Sequence, residues 1–170
     1  MQKYFDLGWD ERRIVLIGNY TFTKSRLKVA ADDTVAVFAA SSGIATDYFR
    51  DGAPLTGQSD HLVNLQLGLE ADDHLSQQTI LVTYASDRVV SRGLNGTPPQ
   101  PDVIERPGLR IDFVAREGFE LFGQTLEAKL EVRNILGRKH EEFQQAGANR
   151  IEINSYPVGR TVAVSLAVDF

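Results

Sequence analysis

The stretch TVAVSLAVDF, residues 161–170, decides the fold class. Val162, Val164, Leu166, Val168 and Phe170 share one parity, and Thr161, Ala163, Ser165, Ala167 and Asp169 share the other. Successive side chains of a strand point to opposite faces, so this stretch reads as a strand with one apolar face. A helix would scatter the same residues around its circumference.

The same period runs back through the chain. Leu126, Ala128, Leu130 and Val132 alternate with Glu127, Lys129, Glu131 and Arg133. Leu109, Ile111, Phe113 and Ala115 alternate with Arg110, Asp112, Val114 and Arg116. Val63, Leu65, Leu67 and Leu69 alternate with Asn64, Gln66, Gly68 and Glu70. Residues 79–85 and 14–23 repeat the alternation less cleanly, and residues 3–7 look like the stub of a further strand. No amphipathic helix stands out; only residues 32–48 (DDTVAVFAASSGIATDY) have room for a short one. The expectation is an all-β chain, an antiparallel meander of six to seven long strands within one domain, residues 1–170.

The connections alternate in length. Long ones are expected over residues 30–60, 91–108 and 137–159, and short ones over 71–76 and 117–124. In an antiparallel meander this puts every long loop at one end, and every short turn, with the C-terminus, at the other. An antiparallel sheet with one apolar face suits a soluble sandwich, where apolar faces pack together, or an outer-membrane barrel, where they meet lipid. Four cues favour the barrel. Loop lengths alternate as in bacterial barrels. The strands support roughly 9–11 alternating residues, the spanning length, against a soluble mean nearer 5–6. Trp9, Phe119, Phe122 and Phe170 fall at the short-turn end and Tyr20 and Phe22 at the long-loop end, like two interfacial girdles. The last residue is a Phe that completes an apolar stripe. Arg110, Asp112, Arg116, Glu127, Lys129, Glu131 and Arg133 cannot face hydrocarbon, so they are expected to form a lumen-facing charged ladder.

Composition narrows the function classes. A formal net charge of −5 speaks against non-specific nucleic-acid binding. The absence of cysteine removes disulfides, thiolate metal sites and cysteine nucleophiles. No apolar run approaches a spanning helix, and the N-terminus has no secretory signal pattern.

Five stretches then carry a resemblance: GAPLTGQSDHLVNLQLGLE (52–70), LSQQTILVTYASDRVVSRG (75–93), PGLRIDFVAREGFELFG (107–123), LEAKLEVRNILGRKHEEFQ (126–144) and NSYPVGRTVAVSLAVDF (154–170). In order and spacing they resemble the C-terminal barrel of TonB-dependent outer-membrane receptors. The resemblance implies the C-terminal portion of a transmembrane β-barrel of about 22 strands that encloses a plug; neither the plug nor the TonB box is in this sequence. It implies active uptake of a scarce nutrient, such as a ferric chelate or carbohydrate. It places the chain in the bacterial outer membrane, long loops extracellular and C-terminus periplasmic. Implied partners are outer-membrane lipid, the barrel-assembly machinery, TonB through the plug, and a small-molecule substrate. Val162, Val164, Leu166, Val168 and Phe170 resemble the family's barrel-assembly signal, an edge strand read through its backbone with alternate side chains in pockets. Competing readings are a complete small outer-membrane barrel with a structural or adhesive role, and a soluble β-sandwich binding module.

No enzymatic or cofactor chemistry is expected. Neither standard phosphate-binding glycine spacing occurs. His140, Glu141 and Glu142 lack the second histidine of a metal motif, and Ser59, Asp60 and His61, adjacent on a strand, cannot converge as a triad. Asp32, Asp33, Asp72 and Asp73 read as turn residues, and Asn95-Gly96-Thr97 as loop chemistry. Ligand contact belongs to the long loops: Asp47, Tyr48, Arg50 and Asp51 in the first, Arg106 in the second, and His140, Glu142 and Arg150 in the third.

Overall fold

The computed structural model describes residues 1–6, 11–36, 42–73, 75–96, 98–121 and 123–169. Trp9, Phe122 and Phe170, expected in the girdles and the terminal signal, and Thr97 of the Asn-Gly-Thr pattern lie outside the described residues.

The chain is all-β and antiparallel, with no α-helix among the described residues. Its strands are β1 (Gln2–Asp6), β2 (Arg12–Phe22), β3 (His61–Ala71), β4 (Ser76–Ala85), β5 (Arg88–Ser91), β6 (Val103–Glu105), β7 (Gly108–Leu121), β8 (Gln124–Arg133), β9 (Lys139–Ala146), β10 (Asn149–Pro157) and β11 (Thr161–Asp169). A seven-stranded sheet has the order β1-β2-β3-β4-β7-β8-β11, and a four-stranded sheet the order β10-β9-β6-β5. The second order repeats the end of the first, because β5, β6, β9 and β10 prolong β4, β7, β8 and β11. The architecture is therefore seven strand lines in sequence order, four of which cross a break and continue as a smaller sheet.

This corrects two expectations. Residues 137–159 are not a loop: β9 and β10 fill them as a hairpin, with only residues 147 and 148 between them. Residues 91–108 contain β6. His140, Glu142 and Arg150 therefore sit on strands, and Arg106 sits at a strand break. The turn expected over 117–124 is also shorter, since β7 runs to Leu121 and β8 starts at Gln124. In residues 32–48 the structure has a bridge between Thr34 and Ile44 and a single 3₁₀ turn, Ala45–Asp47.

The register aligns the two faces across the large sheet. On one face Leu16, Leu67, Ile80, Phe113, Val132 and Val162 are successive partners across six strands. The next row on that face is Ile14, Leu69, Gln78, Ala115, Leu130 and Val164. The opposite face carries the row Val15, Gly68, Thr79, Val114, Glu131 and Ala163. All seven ladder residues share the parity of this second face.

Burial does not follow the apolar face as it would in a soluble sheet. On the polar face Val15 and Thr79 are 4% and 8% exposed. On the apolar face Leu67 is 45% exposed while Phe113, Leu130 and Val132 are half-buried, and the edge strand β11 is exposed on both faces over residues 161–168. Among the described residues only Val15, Ala45 and Phe143 are buried hydrophobics. A soluble domain of this length would bury well over half the surface of its unfolded chain around an apolar core. Among the described residues nothing in the chain covers the apolar face.

Candidate functional site

The break between the two sheets is where ionisable side chains gather. A β ladder that stops leaves backbone groups unpaired, and side chains satisfy them here. Asn134 ends β8 in the left-handed region at φ 54°. Its Oδ1 accepts the Arg138 N–H at 2.8 Å, and its Nδ2 donates to the carbonyls of Arg138 at 2.9 Å and Gly159 at 2.6 Å. Its own N–H donates to Asp112 Oδ1 at 2.6 Å.

Two arginines then strap successive breaks. The Arg138 guanidinium donates to the carbonyls of Pro107 at 3.0 Å and Arg106 at 2.9 Å, lying over Gly108. Gly108 has φ 64°, a backbone conformation that favours glycine, and a Cβ there would push against the Arg138 guanidinium, 2.7 Å away. One line further on, Arg160 donates to the Ile135 carbonyl at 2.9 Å and lies over Gly137, φ 65°.

Behind these straps lies a cavity of about 540 Å³ on the seam. Its lining includes Arg106, Arg110, Arg138, Lys139, His140 and Tyr156. Arg106 makes a bidentate pair with Asp87, Nε to Oδ2 at 3.0 Å and Nη2 to Oδ2 at 2.8 Å, with a further Nε contact to Oδ1. The Asp87 hydrogen bond outweighs partial burial and holds Arg106 more firmly in its charged form. Arg106 also lies 5.0 Å above the Phe143 ring, and Arg150 covers the same ring at 3.9 Å.

His140 stacks on Tyr156 with ring centroids 4.8 Å apart. Its Nε2 is 3.2 Å from Glu142 and its Nδ1 3.9 Å from Glu105. Glu105 and Glu142 are direct partners across β6 and β9, a like-charge pair that Arg88, 2.8 Å from Glu105, offsets. The two carboxylates engage opposite nitrogens of one ring, so the trio does not converge on a single point. No cluster suited to a metal ion occurs among the described residues.

The first-loop candidates serve the loop itself. Tyr48 Oη donates to the Ser42 carbonyl at 2.8 Å, Asp47 accepts from Ser42 Oγ, and Asp51 accepts the Val29 N–H at 2.9 Å. Arg50 reaches across to Asp102 at 2.8 Å. Asp102 also accepts from Arg92 at 2.9 Å and from the Gly93 N–H at 3.0 Å. One carboxylate thus clamps the first long loop to the second. Asp102→Ala is expected to loosen the first loop around Arg50, whose half-exposed ion pair contributes about 0–1 kcal/mol, while Asn95 Nδ2 still holds the Thr46 carbonyl at 2.6 Å. Limited proteolysis should cut that loop several-fold faster in the variant; an unchanged pattern would deny the clamp.

The charged ladder forms in part. Glu131 pairs with Lys129 and, at 2.9 Å, with Arg133, and Arg116 Nε faces Glu127 at 3.6 Å. Arg116 also donates to Gln77 at 3.3 Å. Asp112 turns to Asn134, and Arg110 turns to the seam. The site therefore joins two groups that sequence reasoning keeps apart, Arg110 from the ladder and Arg106 with His140 from the loops. Sequence reasoning misses Arg138, Lys139, Asn134 and Tyr156. The run Asn134-Ile135-Leu136-Gly137-Arg138 is their signal, a turn pattern between two β segments.

Compared with protein-family models, with curated proteins and with solved structures, the chain finds no match.

Proposed function

We propose that this chain is the C-terminal segment of a TonB-dependent outer-membrane receptor barrel, serving active uptake of a scarce small molecule. One observation carries the reading. Six adjacent strands, β2, β3, β4, β7, β8 and β11, align mainly apolar residues on one face that nothing covers among the described residues, and only three of the described hydrophobic residues are buried. An apolar face of that kind needs a partner, and hydrocarbon matches its chemistry along its whole length. No helix among the described residues is long and apolar enough to cross a membrane, and crossing by strands has no such requirement.

Strand lengths support the reading. β2, β3, β4, β8 and β11 have 9–11 residues, the span of a tilted transmembrane strand, and β7 has 14. Tyr20, Phe22 and Tyr84 are exposed toward the long-loop end, and Phe119 toward the short-turn end, where membrane–water interfaces would lie. The polar face then lines the lumen, the small sheet and the first loop project outward from the cell, and the C-terminus is periplasmic. The large sheet is open, with β1 and β11 at its edges. Such edges call for further strands of a larger barrel. The assembly machinery would read Val162, Val164, Leu166, Val168 and Phe170. TonB would act through the plug of the whole receptor.

Sequencing the reading frame upstream of Met1 tests the assignment. The expected result is an uninterrupted frame encoding a plug and the remaining strands. A stop codon and ribosome-binding site directly upstream would contradict it.

A further inference from the structure

The seam cavity has a charge imbalance that its own residues do not resolve. Two ionic groups around it are already partnered, Arg106 by Asp87 and Glu105 by Arg88, and Glu142 lies 3.2 Å from His140 Nε2. Arg138 is committed to two carbonyls, with Glu141 at 3.8 Å. Arg110 and Lys139 differ. Both line the cavity, and neither has a carboxylate within 4.0 Å among the described residues.

They come from different strand lines, Arg110 from β7 and Lys139 from β9, and both line the cavity at the break. Tyr156, stacked on His140, lines the same cavity. The volume falls within the roughly 300–1,000 Å³ of small-ligand pockets. Two uncompensated cations, one a planar fork of donors and one a mobile point charge, suit clustered anionic oxygens.

We propose that the seam cavity binds a small polyanion, carboxylate or phosphate in type, held between Arg110 and Lys139. This names a ligand class for the site, yet it stands on the seam itself. The same cations would act whether the apolar face meets lipid or another protein, so failure of this inference leaves the membrane reading untouched.

Isothermal titration calorimetry on the full chain in detergent micelles tests it, at low ionic strength so that screening is weak. The probes are inorganic pyrophosphate, tricarballylate and uncharged maltotriose. The expected result is binding of one or both anions and not of maltotriose; the tighter anion identifies the oxygen type. Arg110→Gln and Lys139→Gln should each weaken binding about tenfold, the effect of one charge-assisted contact. Lys24→Gln, which removes the same charge from the first loop, should leave it unchanged. Lys139 is exposed on β9, so its variant keeps the test valid if Arg110→Gln fails to fold. Absence of anion binding, equal binding of maltotriose, or equal weakening by Lys24→Gln would overturn the proposal.

Discussion

Leu130→Arg is expected to abolish membrane assembly of the full-length protein, whereas Glu131→Gln next to it is expected to be mild. Leu130 lies on the apolar face between Ala115 and Val164, inside the band of rows that crosses the sheet. An arginine facing hydrocarbon at mid-depth costs about 2–4 kcal/mol, or roughly 30- to 1,000-fold in a folding equilibrium. Glu131 points the other way, among Lys129 and Arg133. Ion pairs that water can reach contribute little, so neutralising Glu131 is mild. Outer-membrane fractionation with a heat-modifiability gel reads both variants. Equal tolerance of the two would contradict the assignment of faces.

Asn134→Ala is expected to be the most damaging single change at the seam. Asn134 is 4% exposed and makes three side-chain hydrogen bonds. Alanine removes all three and leaves the Arg138 and Gly159 carbonyls to find other partners. It must also hold the left-handed conformation that asparagine tolerates better. The combined loss is at least about 3 kcal/mol, from two unsatisfied carbonyls at about 1–3 kcal/mol each plus about 1–2 kcal/mol of backbone strain. Asn134→Gly keeps the conformational freedom and should recover part of the strain. Thermal unfolding in detergent separates the two contributions. An alanine variant within about 0.5 kcal/mol of the parent, the usual range for a surface change, would show that the amide network does not hold the seam.

The two-faced design of the large sheet is legible in the amino-acid sequence because one face is almost uniformly apolar. In 126–133 and 161–168 every second residue is hydrophobic, and one such constraint per residue pair is enough to set parity. The small sheet is not legible, for the same reason in reverse. In β9, KHEEFQQA, Phe143 is the one large apolar residue, and β10 is exposed along its whole length. β10 alternates only briefly, Ile151 and Ile153 among Arg150, Glu152 and Asn154, too short a run to stand out from loop. β5 and β6, at four and three residues, are too short to show one.

The seam site is half legible. Arg106 and His140 stand out in the sequence as charged groups near turns. That they line one cavity with Arg110 and Lys139 depends on the pairing of β6 with β9 and of β7 with β8. Sequence spacing carries no record of that pairing. The charged ladder shows the same limit. Parity alone puts all seven residues on one face, but only the folded geometry separates Asp112 and Arg110 from the paired charges of β8.

The most direct test of the lipid-facing sheet uses the absence of cysteine. Single cysteines placed in turn at residues 126–133 carry a spin label, and the full chain is reconstituted in phospholipid vesicles. Collision rates with oxygen, which concentrates in the bilayer, and with a water-soluble nickel chelate are then measured at each position. The prediction is a period of two: oxygen-accessible at Leu126, Ala128, Leu130 and Val132, and nickel-accessible at Glu127, Lys129, Glu131 and Arg133. Nickel access at every position, or shielding of Leu126, Ala128, Leu130 and Val132 from both reagents by a second protein surface, would contradict the account.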